Sequence, residues 1–252
     1  MWDLFVSLFV NVLIWIYDVI GHNFAIAIIL FTILIRIVTW PLNAQQMKGA
    51  AAMQELQNDK EWQAIQKKYA KDREKLAQEQ MRIYRERKIS PFSSCLPTLI
   101  QFPIIIALYQ SITRALGSTP LDLLKLSRSL YDFLNVSDLI TLNSKFLWMD
   151  LGRPESIAIF GFAFPTLALI VAITTYVQAK LTMPASPNPN DQSAAMSKMM
   201  SIYMPLLLGY FALNFASGLS IYFITSNILG IIQYAMQGKA NWRSLLPGGQ
   251  KK

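Results

Sequence analysis

Long apolar runs, separated by polar and basic stretches, organise this chain from end to end. A helix of about 20 residues crosses a bilayer, and five runs approach or exceed that length: 23–43, 96–116, 157–179, 199–215 and 219–236. Only "NFASG" joins the last two, which predicts a tight membrane hairpin. The pattern therefore predicts an all-α membrane protein with five transmembrane helices.

The first 22 residues differ from these runs because their polar residues share one helical face. Asp3, Ser7, Asn11 and Asp18 recur at helical spacing, and Leu, Phe, Val, Ile and Trp fill the remaining positions. We expect residues 1–22 to form an amphipathic helix on the outer membrane surface. The alternative that stays open is a sixth span or an uncleaved anchor.

Residues 44–95 have the composition of a water-exposed helix, rich in Ala, Gln, Glu, Lys and Met, with no proline before Pro91. Two apolar stripes follow helical spacing along this segment, one formed by Trp62, Ile65 and Tyr69 and the other by Leu76, Ile83 and Tyr84. The segment predicts a hairpin of two antiparallel helices that projects into the cytosol. The stripes argue against the alternative, a solvated linker.

The distribution of Lys and Arg predicts the orientation. Seventeen lie in the 44–95 segment, the 180–198 loop and the 237–252 tail, whereas five lie in or beside the 117–156 loop. The positive-inside rule then makes the first three segments cytoplasmic and places the N-terminus and the 117–156 loop outside. Within that outer loop, the spacing of "LDLLKLSRSLYDFL" predicts an interfacial helix.

The composition of the chain disfavours several classes of function. The chain is 53% hydrophobic and 15% charged, and its net charge of +8 sits mostly in loops rather than in one nucleic-acid-binding patch. One cysteine, Cys95, and one histidine, His22, allow no intrachain disulfide and disfavour a zinc site. The predicted spans contain no Asp or Glu, so they offer no carboxylate for proton coupling or hydrolysis. We therefore expect neither an enzyme nor a cofactor.

Arg36, within "FTILIRIVTWPL", is the charge that lies deepest in the predicted spans. An arginine at the centre of a membrane helix costs about 2.5–3.5 kcal/mol on insertion scales. Snorkelling to the cytoplasmic surface would relieve part of that cost. However, Thr32, Thr39 and Asn43 share its helical face, which favours a polar stripe instead.

Other spans also carry uncharged polar residues at helical spacing. They include Gln101, the pair Thr174 and Gln178, and, in the last span, Ser220, Ser226, Asn227 and Gln233. Each alone is commonly an interhelical hydrogen-bonding group. Together with the Arg36 stripe they predict a wet cavity that opens to the cytoplasm.

Three motifs then resemble one known family. "LIRIVTWPLNAQQ" (34–46), "SPFSSCLPTLIQFPIIIALY" (90–109) and "SGLSIYFITSNILGIIQ" (217–233) are similar, in order and spacing, to runs of the YidC family of membrane protein insertases. That family has mitochondrial and chloroplast relatives. The resemblance extends over about residues 20–240.

The resemblance implies five core helices around a hydrophilic groove that opens to the cytoplasm. It implies that Arg36 is the functional cation of this groove, that Thr32 lines it, and that Tyr222 and Phe223 are the aromatic pair that meets incoming segments. Phe223 departs from the family, which commonly has Trp or Tyr there, so we expect an apolar contact only. Gln101, Gln178 and Asn227 complete the expected substrate-binding groove.

The function implied is insertion of transmembrane segments into the bilayer without ATP, alone or with the Sec translocon. The implied partners are nascent membrane proteins and membrane lipids, with the ribosome and the Sec translocon as further candidates. The implied location is the bacterial cell membrane. The alternatives are an assembly chaperone and, further from the sequence pattern, a channel or lipid scramblase.

Overall fold

The computed structural model is mostly helical and describes residues 2–57, 59–69, 72–87, 89, 96–117, 124, 126–127, 130–131, 142–159, 162–182 and 192–237. The helices are α1 (Trp2–Val19), α2 (Phe24–Val38), α3 (Trp40–Gln57), α4 (Lys60–Lys68), α5 (Arg73–Glu86), α6 (Leu96–Ala115), α7 (Thr166–Thr182), α8 (Gln192–Asn214) and α9 (Ser217–Met236). Four short strands form two antiparallel hairpins, β1 (Lys145–Phe146) with β2 (Met149–Asp150), and β3 (Ile157–Ile159) with β4 (Phe162–Phe164).

Helix α9 is central, because it contacts α2, α6, α7 and α8, while α1 packs on α2 and α6. A continuous apolar core joins these helices. Phe31 of α2, Leu108 of α6 and Leu219 of α9 are among its buried members. The apolar runs of the sequence thus supply one buried face each and leave a second apolar face exposed, as expected of helices that meet both protein and lipid.

Two described helices, α1 and α9, are long and apolar enough to cross a membrane. A third candidate is the pair formed by α2 and the first part of α3, which meet at a bend of 58°. The prediction of one helix over 23–43 is therefore wrong at its end. Pro41 has no backbone N–H to continue the α2 hydrogen-bond ladder, so the helix stops at Val38 and restarts at Trp40. The five-span arrangement stays a prediction.

The third predicted span, 157–179, also needs correction. Its first residues form the β3–β4 hairpin, in which Ile157 pairs with Phe164, and the helix begins only at Thr166. Phe164 precedes Pro165, and a residue before proline avoids helical backbone, which sets the late start. In the same region α8 begins at Gln192, inside the predicted 180–198 loop and ahead of the predicted fourth span at 199–215.

The 44–95 segment contains three helical pieces rather than the expected two, because α3 continues to Gln57 before α4 and α5 form. The two predicted stripes meet there: Trp62 is 2% exposed and packs in a small cluster with Ile83. Asp59 caps α4 and lies 2.6 Å from Arg87. The hydrogen bond from Arg87 is the main reason why the pKa of Asp59 is lowered.

Helix α1 combines polar and apolar exposed surface. The side chains of Asp3 and Asp18 are exposed, as are those of Leu4 and Trp15. Asn11, predicted to lie on the polar face, is instead buried and accepts a hydrogen bond from the backbone N–H of Tyr131 in the 117–156 loop. Helix α1 also has the length and apolar composition of a candidate span, and the surface helix stays a prediction.

Two predicted features fall outside the described residues. These are the 237–252 basic tail, described only at residue 237, and most of the interfacial helix predicted within the 117–156 loop.

Candidate functional site

A cavity of about 280 Å³ lies among α2, α3, α6, α7, α8 and α9. Its apolar wall comes mainly from α6 and α8. The polar lining comes from the other helices and from one residue of α6: Arg36, Thr39, Asn43, Gln101, Thr175, Gln178, Tyr222, Ser226 and Asn227. The cavity thus places polar groups from well-separated parts of the sequence inside an otherwise apolar bundle.

Arg36 reaches across this cavity from α2 to α9. Its Nη2 atom donates to the backbone carbonyl of Ser226 at 2.6 Å and to the Ser226 hydroxyl at 2.7 Å. Among the described residues no carboxylate lines the cavity, and no described acidic side chain forms an ion pair with Arg36. Both acceptors are neutral, so they satisfy hydrogen-bonding capacity and leave the positive charge uncompensated.

Gln101 and Tyr222 form the next polar pair. The Gln101 side-chain amide donates to the Tyr222 hydroxyl and ties α6 to α9. Tyr222 is 2% exposed, and its ring lies 5.7 Å from that of Phe223. Phe223 lines the same cavity and has no polar atom, so its contribution there is an apolar contact.

Asn227 links α9 to α7. Its side-chain amide donates to the hydroxyl of Thr174 at 3.0 Å and to that of Thr175 at 2.8 Å. One turn further along α7, Gln178 lies over Gly230: a Cβ at Gly230 would be 2.5 Å from the Gln178 amide nitrogen. A glycine at this point therefore lets α7 and α9 approach closely beside the cavity.

Six of the seven predicted groove residues line this one cavity, namely Arg36, Gln101, Gln178, Tyr222, Phe223 and Asn227. Thr32 is not among the lining residues. It is fully buried, and its hydroxyl donates to the Ile28 carbonyl of its own helix at 2.6 Å. Thr39 and Asn43, from the same predicted stripe, do line the cavity.

Two residues outside that predicted set matter to the geometry. Ser226 accepts from Arg36, and Thr175 accepts from Asn227. Ser226 was not among the seven groove residues, but it was one of the polar residues at helical spacing in the last span that predicted a wet cavity. Thr175 had no such signal, because the face of α7 that meets α9 cannot be read from that span alone.

The 142–156 loop fixes the ends of α7 and α9 on the side predicted to lie outside. The backbone N–H of Gly218 donates to the Leu151 carbonyl at 3.0 Å, and Leu151 is fully buried. The Glu155 carboxylate accepts from Thr166 Oγ1 at 2.6 Å, from the Leu167 N–H at 3.0 Å and from Trp148 Nε1 at 3.0 Å. A negative group at the N-terminus of α7 is favourable in the field of the helix dipole.

Fold and site together define a class: an apolar helical protein with a partly open cavity, lined by polar groups and a cation, among its helices. Comparison with known proteins sharpens this assignment. The sequence model of the family described as "60Kd inner membrane protein" matches residues 15–242. The membrane protein insertase MisCA of Bacillus subtilis is 33% identical over all of this chain and 86% of its own length.

Two further comparisons agree. A membrane protein insertase YidC of Oceanobacillus iheyensis is 32% identical over 88% of this chain and 77% of its own length. The crystal structure titled as an active YidC insertase with its first transmembrane domain resolved matches with a TM-score of 0.53 and 26% identity, over 88% of this chain and 43% of that chain. The chain belongs to the YidC family of membrane protein insertases.

Proposed function

We propose that this chain integrates substrate transmembrane segments into the bacterial cell membrane through the Arg36 cavity. The observation that carries the proposal is the arrangement of Arg36: a cation among apolar helices, held by neutral groups, in a cavity that no described carboxylate lines. The names of the relatives, membrane protein insertases, support the same activity.

The cavity suits a polar segment that must cross the bilayer beside an apolar one. An acidic residue at a membrane helix centre costs about 2.5–3.5 kcal/mol. Hydrogen bonds to charged groups contribute about 1.5–3 kcal/mol each, so Arg36 and its polar neighbours can offset much of that cost. The apolar part of the substrate then moves into lipid, driven by burial of apolar surface at about 25 cal/mol per Å².

This mechanism needs no ATP, because transfer of the apolar segment supplies the driving force. The 44–95 helices would receive the substrate in the cytosol, and the basic 237–252 tail would contact ribosomal RNA by charge. We place the N-terminus and the 117–156 loop outside and the C-terminus in the cytosol. Cooperation with the Sec translocon is part of the same proposal.

Reconstitution tests the activity directly. Purified protein in liposomes, without ATP and without a translocon, is expected to insert a single-span substrate, scored by protection from added protease. A chaperone would fail this assay and yet assist when a translocon is added. A channel or scramblase would pass ions or flip lipids in the absence of substrate, and that result without insertion would overturn the proposal.

A further inference from the structure

Ser226 is the resting partner of the cavity cation. It offers Arg36 two acceptors, a backbone carbonyl at 2.6 Å and a hydroxyl at 2.7 Å, and both bonds come from the same guanidinium nitrogen. An arginine side chain carries five N–H donors in a fixed planar fork. The described contacts therefore occupy one edge of that fork and leave other donors for a ligand.

The residue one turn after Ser226 borders the Arg36 guanidinium. Helical side chains point back towards the N-terminus, so the residue at i+4 covers the surface around position i. Gly230 stands at that place, and a Cβ there would lie 3.4 Å from Arg36 Nη2. A Cβ at that distance would only touch the guanidinium, and the missing side chain leaves open space beside it.

Ser226 is neutral, and this distinguishes it from an acidic residue that would form a structural ion pair with Arg36. A carboxylate at position 226 would neutralise Arg36 and stabilise the pair, and breaking that pair would oppose entry of an anionic segment. A serine instead satisfies hydrogen bonds and leaves the charge available. The hydroxyl can be exchanged for a substrate group without separating opposite charges.

From this geometry we propose that Ser226 sets the preference of the cavity for anionic substrate segments, as a neutral, displaceable partner of Arg36. The proposal rests on the proposed insertase function and adds a residue that determines specificity. It predicts that a negative charge at position 226 neutralises Arg36 and weakens its attraction for acidic segments. It also predicts that removing the hydroxyl makes Arg36 more available to them.

The test uses the full chain in lipid nanodiscs and two synthetic peptides that share one apolar helix. One peptide carries an Asp-Glu tail and the other an Asn-Gln tail. Ser226→Asp is expected to reduce binding of the acidic-tailed peptide at least as strongly as Arg36→Ala does, and to affect the neutral-tailed peptide much less. Ser226→Asn, matched in size, is expected to change the binding of both peptides equally.

Ser226→Ala gives the opposite sign. Because a hydrogen bond to a charged group is lost in the resting state, the acidic-to-neutral affinity ratio should rise by about tenfold to a hundredfold. An unchanged or lower ratio would overturn the assignment, as would equal losses in the Asp and Asn variants. Arg36→Ala separates the two proposals: if it leaves both peptides bound normally, the Arg36 function itself fails. If it acts while Ser226→Asp does not, only the role of Ser226 fails.

Discussion

Replacing Glu155 tests how the 142–156 loop holds the N-terminal end of α7. Its carboxylate accepts three hydrogen bonds, from Trp148, Thr166 and the N–H of Leu167. Leu167 is 5% exposed, so water cannot readily replace its partner, whereas Trp148 is 55% exposed and can turn to water. In Glu155→Ala the buried N–H therefore stays unsatisfied.

The magnitude follows from these contacts. An unsatisfied buried donor costs about 1–3 kcal/mol, and loss of a negative group at a helix N-terminus costs about 0.3–1 kcal/mol more. We expect Glu155→Ala to destabilise the protein by about 1–4 kcal/mol. Glu155→Gln should cost about 1–2 kcal/mol, because one amide oxygen still accepts hydrogen bonds while the amide nitrogen cannot.

Thermal unfolding in detergent measures this effect, at about 2–4 °C per kcal/mol for a chain of this size. Asp150→Asn is the matched control, because its carboxylate lies in the same loop, is 42% exposed and caps one N–H, that of Gly152, at 3.1 Å. We expect the control to shift the transition by about 2 °C or less. Equal shifts in Glu155→Gln and Asp150→Asn would refute the role assigned to Glu155.

The contribution of Glu155 to the stability of the fold depends on pH in a direction that its pKa determines. Burial alone would raise the pKa of Glu155, but hydrogen bonds from Thr166, Leu167 and Trp148 outweigh it and lower the pKa. A carboxylate with a lowered folded-state pKa stabilises the fold above its unfolded value of about 4.3. That contribution is lost as the pH falls through the folded pKa. The difference in stability between wild type and Glu155→Gln should be constant from about pH 7 to 5 and shrink below about pH 4.

Two further predictions concern packing. Trp62 is 2% exposed and joins α4 to Ile83 of α5, so Trp62→Ala should lower the stability of this cluster by about 3–5 kcal/mol. Limited proteolysis within 44–95 would detect the loosened helices. Asn227→Ala removes the bonds to Thr174 and Thr175 that join α9 to α7, and we expect a loss of about 1–2 kcal/mol in thermal unfolding.

Neighbouring exposed residues provide the controls. Met81 in α5 is 44% exposed, so Met81→Ala should leave the proteolysis pattern unchanged. Ile228 in α9 is 46% exposed, so Ile228→Ala should shift the unfolding transition less than Asn227→Ala does. If each control matches its partner variant, the effects come from general loss of side-chain volume rather than from the named contacts.

The sequence predicted the helical class and most of the polar cavity lining, through local periodicity and, for Tyr222, through the family resemblance. The stripe that contains Arg36 repeats at helical spacing, so its shared face was readable from one span. The bond from Arg36 to Ser226 joins residues 190 positions apart and depends on how α2 meets α9. Such a contact is a property of packing and has no signature in either span.

The errors have equally local causes. The 157–164 run is apolar enough for a span, and an apolar run alone does not distinguish a strand pair from a buried helix. Its Ile and Phe residues favour extended backbone, and Pro165 delays the helix to Thr166. Thr32 matched the predicted stripe, yet it satisfies its hydroxyl within α2 because the wall of the bundle covers it.

The measurement that tests the central claim most directly is insertion of a graded substrate series by wild type and Arg36→Ala in liposomes. The series keeps one apolar helix and varies its translocated tail from neutral to two and four acidic residues. Arg114→Ala is the control, because this arginine of α6 pairs with Asp3 at 2.9 Å and does not line the cavity. Arg36→Lys keeps the charge and should retain much more activity than Arg36→Ala.

We expect the loss of insertion caused by Arg36→Ala to grow with each acidic residue in the tail. Arg114→Ala should lower the insertion of all tails alike or not at all. Insertion by Arg36→Ala that equals wild type for every tail would contradict the claim that this cation receives negative charge during insertion.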